Sequence, residues 1–220
     1  MIFIDSISDE AFKLITSPVF SGLTCNPTII ANERPQWGFK ETLNNLIKIP
    51  GTHFIQGSQE TEEWLIYLLK LVKKDTNLKN KFIIKLIWNP PKIKNIIFQL
   101  KNNFIKIAAT GVYTLEQCYA AICCETDFII FYYDHMLRNK FPVIQIDDHI
   151  RKMIELCRNS KTNARLLGAS VKDIRTSTDL LLAGVNDLAL PINIAKKYLE
   201  ANFPENDDIN FEKNYKFTNS

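Results

Sequence analysis

The chain has 220 residues, 46% of them hydrophobic, and carries 27 Lys and Arg against 24 Asp and Glu for a formal charge of +3. That length and apolar content suit one sizeable core, read as a single domain over 1–220. So small and evenly mixed a charge excludes a dedicated nucleic-acid surface, while leaving room for a local basic pocket that receives a small anion.

Short apolar runs recur along the chain. They are IFID (2–5), FSGLTC (20–25), THFIQ (52–56), KFIIKLI (81–87), FIKIAAT (104–110), DFIIFYY (127–133), ARLLGAS (164–170) and DLALP (187–191). They are continuous rather than alternating, the pattern of strands covered on both faces in a parallel sheet. Helix-like segments separate them. SDEAFKLITS starts at a plausible Ser8 cap, and QETEEWLIYLLKLVKKD has apolar residues at helical spacing with acids first and lysines last. TLEQCYAAICCE, IDDHIRKMIELCRNS, DIRTSTDLLLAGV and INIAKKYLEANF continue the alternation, with Gly184 as a natural C-cap. Eight strands alternating with helices predict an α/β protein, a (β/α)8 (TIM) barrel. A doubly wound open sheet is the other possibility, but no Gly-rich phosphate loop follows any strand. The polar tail over about 204–220, with Phe211, Tyr215 and Phe217 spaced along it, reads as an extra C-terminal helix docking on this subunit or a neighbour.

The five cysteines (25, 118, 123, 124 and 157) are odd in number, and none forms a C-x-x-C pair. A disulfide framework or zinc site is not expected, and a reduced cytoplasmic chain is. Cys123 and Cys124 read as core residues of a helix. MIFIDSISDE has no signal-peptide character, and no apolar stretch approaches a membrane span.

In a barrel, chemistry gathers at the C-terminal ends of the strands. Asp5, Cys25-Asn26, Gln56, Lys85, Thr110, Tyr132 and Ser170 each end or interrupt an apolar run, one per strand over the first seven. Any one of them alone is an ordinary strand-end polar residue; seven on one rim are harder to dismiss. Lys85 stands out. Ile83, Lys85 and Ile87 share one strand face. On the inner face the ammonium is desolvated, its pKa falls, and the neutral amine is a nucleophile toward carbonyls. On the outer face the same lysine simply snorkels between helices. Asp5 either caps a turn or moves protons near the amine. Of Tyr132 and Tyr133 only one can point inward, where it can act as an acid or hold a water.

With those residues in place, the chain resembles the small-subunit transaldolase and fructose-6-phosphate aldolase family. The segments that carry the resemblance are FIDS (3–6), GLTCNPTIIANE (22–33), IIKLI (83–87), ATGVYTLEQ (109–117), DFIIFYY (127–133), and LLGASVKD with LLLAGVNDLALP (166–191). The resemblance implies a Schiff-base (class I) aldolase with no metal and no cofactor. It implies Lys85 as the Schiff-base lysine, Asp5 as its proton-transfer acid, and Asn26 as a residue positioning lysine and substrate hydroxyls. Thr24, Thr28, Thr110 and Ser170 are implied as lining the substrate pocket. Gln56 and Tyr132, with Asp5, stand where the family holds its catalytic water, and they favour direct aldol chemistry over transfer of a dihydroxyacetone unit. Transaldolase activity and a non-catalytic sugar-binding relative are the alternatives. The implied partner is a sugar or sugar phosphate, with neither nucleic acid nor membrane, in a homo-oligomer, a pentamer or decamer. Two departures bear on the substrate. His135 stands where the family commonly places a phosphate-binding Arg, with Arg138, Lys172, Arg175 or the helix start after strand seven as substitutes. Trp88, following the lysine strand, is expected to narrow the entrance.

Overall fold

The computed structural model describes residues 1–138, 143–160 and 162–200. Its strands are β1 (Ile2–Ile4), β2 (Phe20–Cys25), β3 (His53–Gln56), β4 (Phe82–Ile87), β5 (Lys106–Thr110), β6 (Phe128–Tyr132), β7 (Arg165–Ala169) and β8 (Asp187–Leu190). Each pairs in parallel with its sequence neighbours, and β1 also pairs with β8, Ile2 opposite Leu188 and Ile4 opposite Leu190. The sheet therefore closes into the expected barrel and the open-sheet alternative falls. The extra helix expected over about 204–220 lies outside the described residues.

The helices are α1 (Asp9–Leu14), α2 (Pro27–Glu33), α3 (Phe39–Leu46), α4 (Glu63–Lys74), α5 (Pro90–Asn102), α6 (Leu115–Cys123), α7 (Tyr133–Arg138), α8 (Val143–Asn159), α9 (Ile174–Ala183) and α10 (Ile192–Lys197). The sequence does not announce α2, α3, α5 or α7. Both α2 and α5 begin with proline. Proline suits the first helical turn, where its missing N–H would be unpaired anyway, although in sequence it reads as a break. Tyr133 belongs to α7, which starts directly where β6 ends. Cys123 is exposed and Cys124 half-buried; of the cysteines in this segment only Cys118 is buried in the core, beside Ala121 and Ile122. Among the described residues no helix is long and apolar enough to cross a membrane.

The alternation of side chains splits the core in two. Inside the barrel, Phe3, Phe54, Ile83, Phe128, Ile130 and Leu167 pack together. Phe54 meets Phe3 and Phe128 edge-on, with ring centroids 4.8 and 5.0 Å away. These rings fill the lumen, so the barrel is a packed floor rather than a pore. The second core lies between strands and helices and includes Leu86, Trp64 and Trp88. Trp88 therefore does not narrow the entrance. It lies an odd number of residues from Lys85 and faces outward, buried against helices.

The strand N-termini carry polar fastenings. Asp187, 0% exposed, accepts from both Nε and Nη2 of Arg165 at 2.7 and 2.8 Å and from the Met1 amine at 2.8 Å. His53, equally buried, accepts the Leu23 N–H at Nδ1 (3.2 Å) and places Nε2 3.1 Å from the Ile49 carbonyl. That pairing selects the tautomer protonated at Nε2.

Candidate active site

At the opposite, C-terminal end of the strands a cavity of about 520 Å³ opens. Asp5, Asn26, Thr28, Gln56, Thr110, Tyr132, His135, Ser170 and Lys172 line it. Nine of the eleven expected site residues thus meet around one space. The other two, Lys85 and Thr24, lie buried beneath it, 4% exposed each. Ile87 lines the cavity, and Lys85 is two residues earlier on the same face of β4. Its strand neighbours are Gln56 on β3 and Ala108 on β5.

The Lys85 side chain is inside the barrel, so the reading in which it snorkels outward does not hold. Its Nζ donates to Thr24 Oγ1 at 3.0 Å. Burial holds the Lys85 pKa below its ordinary 10.5, opposed by attraction to Asp5 and Cys25. Burial also raises the Asp5 pKa; Lys85 pulls it down again and Glu33 pushes it further up. Desolvation thus drives both groups toward their neutral forms. A neutral amine that donates to Thr24 keeps its nitrogen lone pair available.

Tyr132 is the inward member of its pair, packing on the inner core. Its hydroxyl lies 2.6 Å from Thr110 Oγ1. Burial raises its pKa, although the Thr110 hydrogen bond favours the phenolate and lowers it in part. The phenol therefore keeps its proton at neutral pH and can donate it. Ser170, just past β7, has φ +58°. A left-handed serine is strained by about 1–2 kcal/mol, and such strain gathers at functional rims.

Some expected roles change. Asn26 lines the cavity, but its Oδ1 caps α2, accepting from Ile29 N–H at 2.9 Å. Thr24 is a partner of Lys85 rather than part of the cavity wall. Cys25 faces outward, and burial lifts its thiol pKa to about 12. Arg138 and Arg175 do not line the cavity and pair with Asp134 and Asp179 on their own helices. The start of α9 is no anion site, because Asp173 caps it, accepting Thr176 N–H at 2.8 Å and Thr176 Oγ1–H at 2.7 Å. Lys172 and the exposed His135 remain at the rim.

Residues not singled out from sequence complete the site. Tyr113 lines the wall, its hydroxyl 3.3 Å from His135 Nδ1. The His135 ring in turn stacks obliquely on Tyr132, with centroids 5.1 Å apart. Glu33 accepts from Ser6 Oγ at 2.8 Å and from Ile7 N–H at 2.7 Å, fastening the loop after Asp5 to the end of α2. Both residues lie inside quoted segments, IIANE and GVYTLEQ, so the signal was present but carried no obvious chemistry. Among the described residues, no three His, Cys, Asp or Glu side chains are placed to hold a metal ion. No known protein-family model matches the chain.

Proposed function

We propose that the protein is a Schiff-base aldolase acting on small hydroxylated ketones, with dihydroxyacetone as the model donor. One observation carries this reading: an amine with a depressed pKa is held inside the barrel, beneath a polar cavity at the catalytic end of the strands. A binding module has no need for a desolvated lysine.

Lys85 attacks the ketone carbonyl, forming a carbinolamine. Asp5, Gln56 and Tyr132 move the protons, through a water, that convert it to an iminium with loss of water. The iminium takes up the electron pair of the neighbouring carbon–carbon bond as it breaks, giving an enamine, so the electron sink is built from the chain's own amine. Asn26, Thr28 and Ser170 supply polar groups for substrate hydroxyls. The Tyr132–Thr110 pair favours direct aldol chemistry, because a protonated phenol beside the enamine can return a proton to carbon. Transfer between sugar phosphates is the second reading, supported by Lys172 and His135 at the rim.

The test is aldol formation from dihydroxyacetone and glycolaldehyde, followed by NMR. Product is expected from the native chain and none from Lys85→Ala. Equal product from both removes Lys85 as the nucleophile; no product from either removes the direct aldolase, and if erythrose 4-phosphate brings no transfer either, a sugar-binding protein is left. Adding erythrose 4-phosphate to a ketose-cleavage assay then separates aldolase, active without it, from transaldolase, active only with it.

A further inference from the structure

A second cavity, of about 610 Å³, opens beside the first. The two share Pro27, Gln56 and Ile87 as a common wall. Ile87, although apolar, is 51% exposed at this threshold. The annex is mostly apolar and aromatic: Trp37, Phe39 and Trp64 form its body and Ile30 and Ala31 of α2 its edge. Trp64 and Phe39 rings lie 5.2 Å apart. The Trp64 indole N–H is satisfied by the Ser58 carbonyl at 3.0 Å, so the ring presents only apolar surface. A Cβ on Gly57 would lie 2.5 Å from the Trp64 ring, so glycine there lets the indole lie against the end of β3. The charged residues of the annex, Lys92 and Glu60, are of opposite sign, and no anion is favoured there.

The barrel fixes the direction. In an eight-stranded closed sheet β3 stands opposite β7. His135 and Lys172 follow β6 and β7, whereas the annex opens beside β3 and β4. Lys85 lies under the line between a polar, cationic side and an apolar one.

We propose that the annex is an acceptor subsite for an aldehyde carrying an extended alkyl or aryl chain, so that the substrate spans the two cavities with its hydroxylated donor half in the first, above Lys85. The proposal rests on the aldolase reading and names its acceptor class. In the reaction, Lys85 and the ketone give the iminium and one water. Loss of a proton from the carbon next to the iminium gives the enamine. The enamine carbon bonds to the aldehyde carbon, whose oxygen takes up a proton, and water then releases the product and restores the amine.

Two readouts separate the subsite from the chemistry. The first needs no reaction: tryptophan emission of the full chain is followed during titration with 4-phenylbutan-1-ol. A saturable change is expected, weakened about 10-fold or more in Ala31→Phe, which fills the annex from the exposed side of α2, and in Trp37→Ala, which removes its aromatic face. The second is aldol kinetics with dihydroxyacetone. KM for 4-phenylbutanal is expected about 10-fold below that for butanal, the difference shrinking to within about 3-fold in either variant. Saturable binding that weakens in the variants supports the subsite even if dihydroxyacetone yields no adduct with Lys85, a result that would overturn the aldolase reading alone. No saturable change in the native chain overturns the subsite, whether the annex is then filled by residues 201–220 or by a second copy. Equal KM values for the two aldehydes overturn it as well.

Discussion

His53 offers a pH experiment whose size follows from its surroundings. Its ring is fully buried, with both nitrogens engaged in the neutral form, and burial lowers its pKa from 6.5 to about 4. The unfolded chain therefore binds a proton at His53 more readily than the folded one. Stability is lost as pH falls from 6.5 toward 4, in total about 3 kcal/mol. Most of that loss, about 2 kcal/mol, falls between about pH 7 and about pH 5. His53→Gln keeps an amide donor and acceptor but does not titrate. Urea unfolding of both proteins at the two pH values cancels the carboxylates common to them. The native chain's stability advantage over His53→Gln is expected to shrink by about 2 kcal/mol on acidification. An advantage that stays constant would refute the claim that this histidine is held neutral.

The remaining expectations concern the two ends of the barrel. Lys85→Met is expected to abolish aldol formation yet raise unfolding stability by about 1–2 kcal/mol, because a desolvated amine is replaced by an apolar side chain, Thr24 loses one hydrogen bond, and Asp5, itself driven toward its neutral form by burial, loses little. That gain should shrink as pH rises toward 10.5, since a lowered lysine pKa penalises folding below it and the penalty disappears above the unfolded value. Asp187→Asn, at the other end, is expected to destabilise by about 2–4 kcal/mol in urea with the Lys85 chemistry preserved, since it strips a buried carboxylate from Arg165 and the amine of Met1. Tyr132→Phe is expected to lower kcat for aldol formation about 100-fold or more while leaving imine formation measurable, because it removes a proton donor and not the nucleophile.

The strands were legible because a parallel sheet covered on both faces writes itself as unbroken apolar runs, and the turn from β1 to β8 was the closure that eight such runs demand. The inner face of β4 was legible from period two alone, which puts Lys85 with Ile83 and Ile87. The same rule places Trp88 outside, and reading its bulk without its parity sent it to the entrance. Helices α2, α3, α5 and α7 were hidden by Pro27 and Pro90 and by short, half-polar segments whose burial comes from tertiary packing. With them went the annex, since Ile30, Trp37 and Phe39 belong to that region. The start of α9 looked like an anion site until Asp173 turned out to occupy it. Asn26 lines the cavity as expected, and the task that its sequence position did not reveal is the capping of α2 by its Oδ1.

The central claim is that Lys85 is the nucleophile, and covalent trapping addresses it most directly. The native chain is treated with dihydroxyacetone and borohydride, digested, and the reduced adduct located by peptide mass spectrometry. The adduct is expected on Lys85, in the peptide containing FIIKLIWNPP, and absent from Lys85→Ala. No adduct, or one spread over the exposed lysines and undiminished in Lys85→Ala, would contradict the account.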